Sequence, residues 1–368
     1  MSSPTPAPRT VLLTGFPTFA ARYLFETIAR EEPDTTIMCI VRERHLEQAR
    51  ALAARVSSPE RVRLLAGDIR SLDFGLTGKE YLDLTNEVTD VYHLDALWHT
   101  AASKERLKAV NVGGTQNVLD CISDIKNLNR YNHFSTAYVC GDRSGVIMEE
   151  ELDVGQSFRN PYEETQYEAE RRVRQRRRTF PITIYRPSLI IGHSKTGQID
   201  RMTGPYLLMQ PLVHMPVDVP LPMPGQGQVP LNLVPVDYVV DAIHAISVQP
   251  ASEGRTFHIV DPNPLSARMV FEMVALAAGK PLPRGRLPVG VAKIVMRLPF
   301  VEAALRPGRS LLDDFDRWCV FNAINTAEVL ERGPRCPAFP DYVEAIVEYL
   351  RAPGEGDVDL GAREAPAA

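Results

Sequence analysis

A chain of 368 residues, 44% hydrophobic and 24% charged, can bury a large core and has the composition of an ordinary globular protein. Its formal net charge of −5 argues against a general nucleic-acid binder. Cys39, Cys121, Cys140, Cys319 and Cys336 have neither metal-ligand nor redox spacing, the first nine residues lack an apolar signal core, and no run reaches the ~18 apolar residues of a membrane span; a cytoplasmic protein with free thiols and no integral span is expected.

Short β-rich runs alternate with helical stretches through the first half, which predicts an α/β fold around a parallel sheet. Residues 10–14 (TVLLT) read as a strand entering a turn, and 20–31 as a helix. Residues 36–41 (TIMCIV) form the second strand, followed by an Ala/Arg-rich helix around 45–56. Further strands are expected at 62–65, 90–94, 131–135 and 182–185. From about residue 192 the texture changes, and prolines concentrated in the second half predict long irregular loops. Residues 204–235 are too rich in Pro, Met and Leu for one helix and read as a substrate-facing loop region, with 231–243 returning to a strand and then a helix. A strand at 255–260 and helices around 266–278, 289–305 and 342–351 follow. Residues 1–9 and 352–368 are small and polar, which predicts disorder. The expected division is an α/β domain over 10–192, with 231–262 returning to it, and a substrate lobe built from 193–230 and 263–351.

Three places along this pattern suggest chemistry. The turn Thr14, Gly15, Phe16, Pro17, Thr18, Phe19 joins the first strand to the first helix, where backbone N–H groups and a positive helix end meet a pyrophosphate. Thr18 and Ala21 stand there where further glycines would admit close approach of a phosphate and of the helix. Arg42, with Arg44 nearby, follows the second strand, where a cation meets an adenosine 2′-phosphate and an acid would instead bond a 2′-hydroxyl. In NPYEETQYEAE (160–170), Tyr162 and Gln166 are four apart and share one helical face.

With Gly67-Asp68-Ile69, His93-Leu94-Asp95-Ala96, Asn111-Val112-Gly113-Gly114-Thr115, Ser135-Thr136, Arg186-Pro187-Ser188 and the VPVDYVVDA segment at 234–242, these motifs stand in the order that resembles the extended short-chain dehydrogenase/reductase family. The flavour is nearest to its fatty acyl and thioester reductase branch. That resemblance implies a Rossmann-type doubly wound parallel sheet with a smaller, non-contiguous C-terminal substrate lobe. It implies an oxidoreductase using NADP(H) in preference to NAD(H), with Asp68 and Ile69 at the adenine and Leu94, Asp95 and Ala96 beside the cofactor. Asn111 would support the residue at position 166, Ser135 would adjoin the cofactor, and Arg186, Pro187 and Ser188 would line the nicotinamide side. Thr136 would bond the substrate oxygen and Tyr162 would donate the proton.

Three departures from the family pattern cluster on the expected cofactor face: Thr18, Asp95 and Gln166. A carboxylate at position 95 is expected to repel a diphosphate. Position 166 is lysine in the family, where it holds the nicotinamide ribose and lowers the tyrosine pKa. A phenol without that cation titrates near ~10 and stays protonated at neutral pH. It can donate a proton but is a poor base, so reduction is favoured over oxidation. The Gln166 amide can still bond ribose hydroxyls.

The expected reaction is hydride delivery to a carbonyl or acyl thioester of a hydrophobic, lipid-like or specialised-metabolite substrate, which the apolar stretch at 202–223 suits. The alternatives are a nucleotide- or ligand-binding pseudoenzyme, and a cofactor-retaining epimerase or dehydratase. RRVRQRRR (171–178) reads as a basic helical surface, from which an arginine can replace the missing cation. His193 and His214 read as solvent-facing, and His93 and His99 do not form a metal pair. Residues 289–300 suit a lid, a dimer surface or a membrane-touching helix, which leaves a homodimer open.

Overall fold

The computed structural model describes residues 9–98, 102–199, 204–214, 222–224, 227–287 and 318–352. The strands in chain order are β1 (Thr10–Thr14), β2 (Thr36–Val41), β3 (Val62–Ala66), β4 (Asp90–His93), β5 (Arg130–Phe134), β6 (Gly145–Ile147), β7 (Ile182–Pro187), β8 (Leu189–Ile191), β9 (Met223–Pro224), β10 (Leu233–Pro235), β11 (Thr256–Ile259), β12 (Arg286–Leu287) and β13 (Cys319–Phe321). Seven of them form one sheet in the order β3-β2-β1-β4-β5-β7-β11. All of its pairings are parallel, which is the expected Rossmann-type doubly wound sheet. The strand order reverses between β1 and β4, so their carboxyl ends open the crevice where such sheets bind ligands.

The helices include α1 (Phe19–Glu31), α2 (Leu46–Ala53), α3 (Gly78–Glu87), α4 (Lys104–Leu107), α5 (Thr115–Asp124), α6 (Pro161–Gln175), α7 (Tyr206–His214), α8 (Val236–Ser247) and α9 (Ala267–Ala277). A π-helical stretch, Lys108–Gly114, joins α4 to α5. Alternation along β1 supplies two cores, because successive side chains point to opposite faces. Val11 and Leu13 pack with α1 and α8. Leu12 faces the other way, with Met38, Ile40 and Val91, onto α3, α5 and α6. A third core joins α7, α9 and the C-terminal helix Val343–Arg351 through Met209, Val270, Phe271 and Ile346.

Two expectations from sequence need comment. Within 204–235, read as a loop region, residues Tyr206–His214 form a helix. Its buried Tyr206, Met209, Leu212 and Val213 pack into the third core, and that tertiary burial outweighs the helix-breaking composition around it. The segments at 1–8, 289–305 and 353–368 lie outside the described residues. Among the described residues, no helix is long and apolar enough to cross a membrane and no group of His, Cys, Asp or Glu side chains is placed to hold a metal.

Candidate active site at the carboxyl edge of the sheet

The turn after β1 is built around one glycine. Gly15 has φ +89°, and a Cβ there would stand 2.8 Å from the backbone nitrogen of Asp95. The loop after β4 therefore packs directly on the β1 turn, and only glycine permits it. Thr14 reinforces the contact: its hydroxyl lies 2.7 Å from His93 Nδ1 and accepts the Asp95 N–H at 3.3 Å. His93 Nε2 lies 3.0 Å from Thr115 Oγ1, which ties α5 to the same point. Burial pushes the His93 pKa well below the usual imidazole range, so this link is neutral at neutral pH.

Thr18 caps α1, and its side chain makes no capping hydrogen bond. The first-turn N–H groups of α1, which no helix satisfies internally, are of the kind that suits an anion. Phe16 is buried against Phe25, with ring centroids 4.6 Å apart, and Pro17 is buried as well. Ile69 and Leu94 are likewise core residues, so these positions have only backbone to offer a ligand. Phe19 is half-buried at the start of α1.

Arg42, Arg70 and Arg106 line a recess with Asp95 and Ala96. Arg42 Nη2 is 3.9 Å from the Asp95 carboxylate. Asp68 is held by Arg70 at 2.6 Å and by the Arg70 N–H at 2.9 Å. Burial, followed by the like charges of Arg44, Arg70 and Arg42, pushes the Arg106 pKa down, which marks four cations converging on one place. Sequence reasoning found Arg42 and Arg44 but missed Arg70 and Arg106. Arg70 stood immediately after the Gly67-Asp68-Ile69 motif; Arg106, on α4, carried no local signal.

The helix expected to carry the chemistry is α6. Asn160 caps it, its Oδ1 accepting the Glu163 N–H at 3.0 Å, with Pro161 in the first turn. Tyr162 and Gln166 stand one turn apart on the same helix, and the Tyr162 phenol lies near the Thr136 hydroxyl. Burial raises the phenol pKa above its ordinary value; the Thr136 hydrogen bond opposes this and the Glu163 charge adds to it. No cation acts on the phenol among the described residues. Gln166 is only 3% exposed, and its side chain makes no hydrogen bond among the described residues. A buried amide in that state is suited to receive a ligand's hydroxyls.

The arginines C-terminal to it do not supply the missing charge. Arg174 bonds Glu170 at 2.8 Å, Arg172 bonds Gln116 at 2.9 Å, and Arg177 pairs with Glu150 at 3.3 Å. On the outer face, Lys104 and Lys108 reach Glu164 at 2.8 Å and Glu168 at 3.4 Å. Asn111, in the π-helical stretch, accepts the Leu97 N–H at 2.7 Å and donates to Leu97 O at 2.9 Å and Thr165 Oγ1 at 3.0 Å. It thus holds the β4 loop and α6 together.

One turn beyond Gln166, Glu170 is fully buried and receives Arg186 at 2.6 and 2.9 Å and the Ser135 hydroxyl at 2.7 Å. Arg186 also donates to the backbone oxygens of Glu149 and Glu151 at 3.2 and 2.9 Å. Its guanidinium and the Ser135 hydroxyl are thereby engaged inside the protein, and Ser188 donates to Asn232 at 2.6 Å. Pro187 ends β7 beside Thr136, whose Oγ1 is 3.5 Å from its carbonyl oxygen. Replacing Glu170 by alanine leaves a buried guanidinium unpaired, and a loss of about 3–5 kcal/mol is expected in denaturant unfolding. A loss below ~1 kcal/mol would contradict this assignment.

The residues present suit a nicotinamide dinucleotide: a helix N-terminus after β1, an arginine recess beside Asp95 and Ala96, and a buried amide one helical turn from a phenol. Residues 13–243 match the model of the NAD-binding male sterility protein family. The chain belongs to that family. The male sterility protein fold extends to solved structures: the terminal R domain from the myxalamid PKS-NRPS biosynthetic pathway is 27% identical, with a TM-score of 0.78 over 94% of this chain and 90% of that one. Glycine betaine reductase ATRR of Emericella nidulans is 28% identical over 72% of this chain and 22% of its own length. Aldehyde reductase lnaA of Aspergillus flavus is 26% identical over 93% of this chain and 36% of its own. The chain thus spans well under half the length of these curated relatives. It is an NAD(P)-binding Rossmann protein of the short-chain dehydrogenase/reductase type.

Proposed function

We propose that this chain is an NADPH-dependent reductase acting on a carbonyl or acyl thioester of a hydrophobic substrate. The observation that carries the reading is the placement of Thr136 after β5 and Tyr162 on α6 near each other at the sheet's carboxyl edge, with no cation acting on the phenol among the described residues. The names of the relatives, two reductases and a terminal R domain, support the reaction class. The arginine recess supports NADPH over NADH.

Bound nicotinamide supplies the hydride. Thr136 donates a hydrogen bond to the carbonyl oxygen and lowers the cost of negative charge there. Tyr162, protonated because burial raises its pKa, delivers the proton that the oxygen takes up. Gln166 offers its amide to the ribose hydroxyls, taking over the positioning part of a lysine's work but none of its charge. The same raised pKa makes Tyr162 a weak base, which disfavours an epimerase cycle that begins by oxidising an alcohol.

The test is fluorescence titration with NADPH and NADH, followed by turnover of a long-chain aldehyde and its acyl thioester. Binding of NADPH with loss of its absorbance on substrate addition is expected. Failure to bind either nucleotide would overturn the reading. Tight binding without turnover of either substrate would replace it with a nucleotide-binding pseudoenzyme, which the departures at Thr18, Asp95 and Gln166 would then explain.

A further inference from the structure

The backbone of Asp95 is pressed on Gly15, while its side chain, 11% exposed, enters the arginine recess. There the charges are already partly cancelled: Arg70 is claimed by Asp68 through side-chain contacts at 2.6 and 3.0 Å. Arg42 is 3.9 Å from Asp95, near enough to feel the charge and too far for a hydrogen bond. Asp95 is thus a built-in counter-ion to the cations that would meet a 2′-phosphate.

Resting on the nicotinamide-dinucleotide reading, we propose that Asp95 is a specificity-determining residue that tempers the arginine recess, so that the 2′-phosphorylated dinucleotide is preferred only weakly over the unphosphorylated one. A 2′-phosphate entering the recess meets Arg42 and Arg106, and it also meets the Asp95 carboxylate held among them. Its like charge repels the phosphate in a partly desolvated place, where Coulomb effects are larger than in water. A ribose 2′-hydroxyl carries no such penalty and can donate to a carboxylate.

The test is calorimetric titration of the full chain with NADP⁺ and NAD⁺, which differ only in the 2′-phosphate. The wild-type Kd values are expected to differ by less than ~10-fold. Asp95→Asn is expected to tighten NADP⁺ by ~10-fold while leaving NAD⁺ within about twofold. Asp95→Ser should give the same pattern and Asp95→Glu the wild-type one, with thermal melts showing that each variant is folded. Equal tightening of both nucleotides would assign the carboxylate to the shared diphosphate and overturn the proposal. An unchanged or weakened NADP⁺ affinity in Asp95→Asn and Asp95→Ser would overturn it too. Absence of binding by the wild type would overturn the dinucleotide reading along with it, whereas the predicted shifts without any reductase turnover would leave the recess proposal standing and remove the reductase.

Discussion

Gln166→Lys is expected to raise the rate of alcohol oxidation at pH 7 by about 100-fold. A cation ~4 Å from a phenolate at an effective dielectric of about 20 is worth about 4 kcal/mol, roughly three pKa units. About two of those units are taken to remain once solvent at the crevice is allowed for. The sign follows from the base the reaction needs. Oxidation requires the ionised phenol, and burial lifts the Tyr162 pKa above its ordinary value, so the wild-type oxidation rate should climb through the whole alkaline range. Lowering that pKa moves the climb to lower pH. Reduction requires the protonated phenol, so the variant's reduction rate should begin to fall at a lower pH than the wild type's. Initial rates in both directions from pH 6 to 10 check the two together. No gain in oxidation at pH 7 would remove Gln166 from the account of reaction direction.

Tyr162→Phe is expected to lower the reduction rate by about 10²- to 10⁴-fold, the range for losing a positioned acid. Dinucleotide affinity should stay within about twofold, because in the proposed complex the ribose meets the Gln166 amide and not the lost hydroxyl. The helix itself should stay in place. Asn160 at its cap and Glu170 in its third turn hold it through contacts that do not involve the phenol. Single-turnover rates with saturating NADPH separate the chemical step from binding. A loss below tenfold would show that solvent or another group supplies the proton.

Much of the sheet was legible because parallel strands buried on both faces read as short apolar runs: TVLLT and TIMCIV became β1 and β2. The pairing of Tyr162 with Gln166 on one face was legible because helical spacing is local. The recess was only half legible. Arg70 and Arg106 reach Arg42 from separate elements, and convergence of distant segments leaves no mark on either one. Asp95 was visible as a departure, yet sequence could not show that its side chain enters the recess and pairs with Arg42. Arg186 teaches the converse. Its motif pointed to the nicotinamide side, whereas burial places its guanidinium against Glu170 and two backbone oxygens. The helix at Tyr206–His214 escaped detection because its stability comes from partners far along the chain, Phe271 and Ile346 among them.

Asn111 has the most to say about tolerance. One short side chain spans the loop that follows β4 and the helix that carries the phenol, bonding the first through both its oxygen and its nitrogen and the second through its nitrogen. The spacing between the β4 loop and the helix that carries Tyr162 is therefore gauged by a single amide. Neither aspartate, which cannot donate when ionised, nor glutamine, which is one methylene longer, keeps that gauge. A crevice can forgive an altered charge at its centre when the ruler that separates its two ends is left intact.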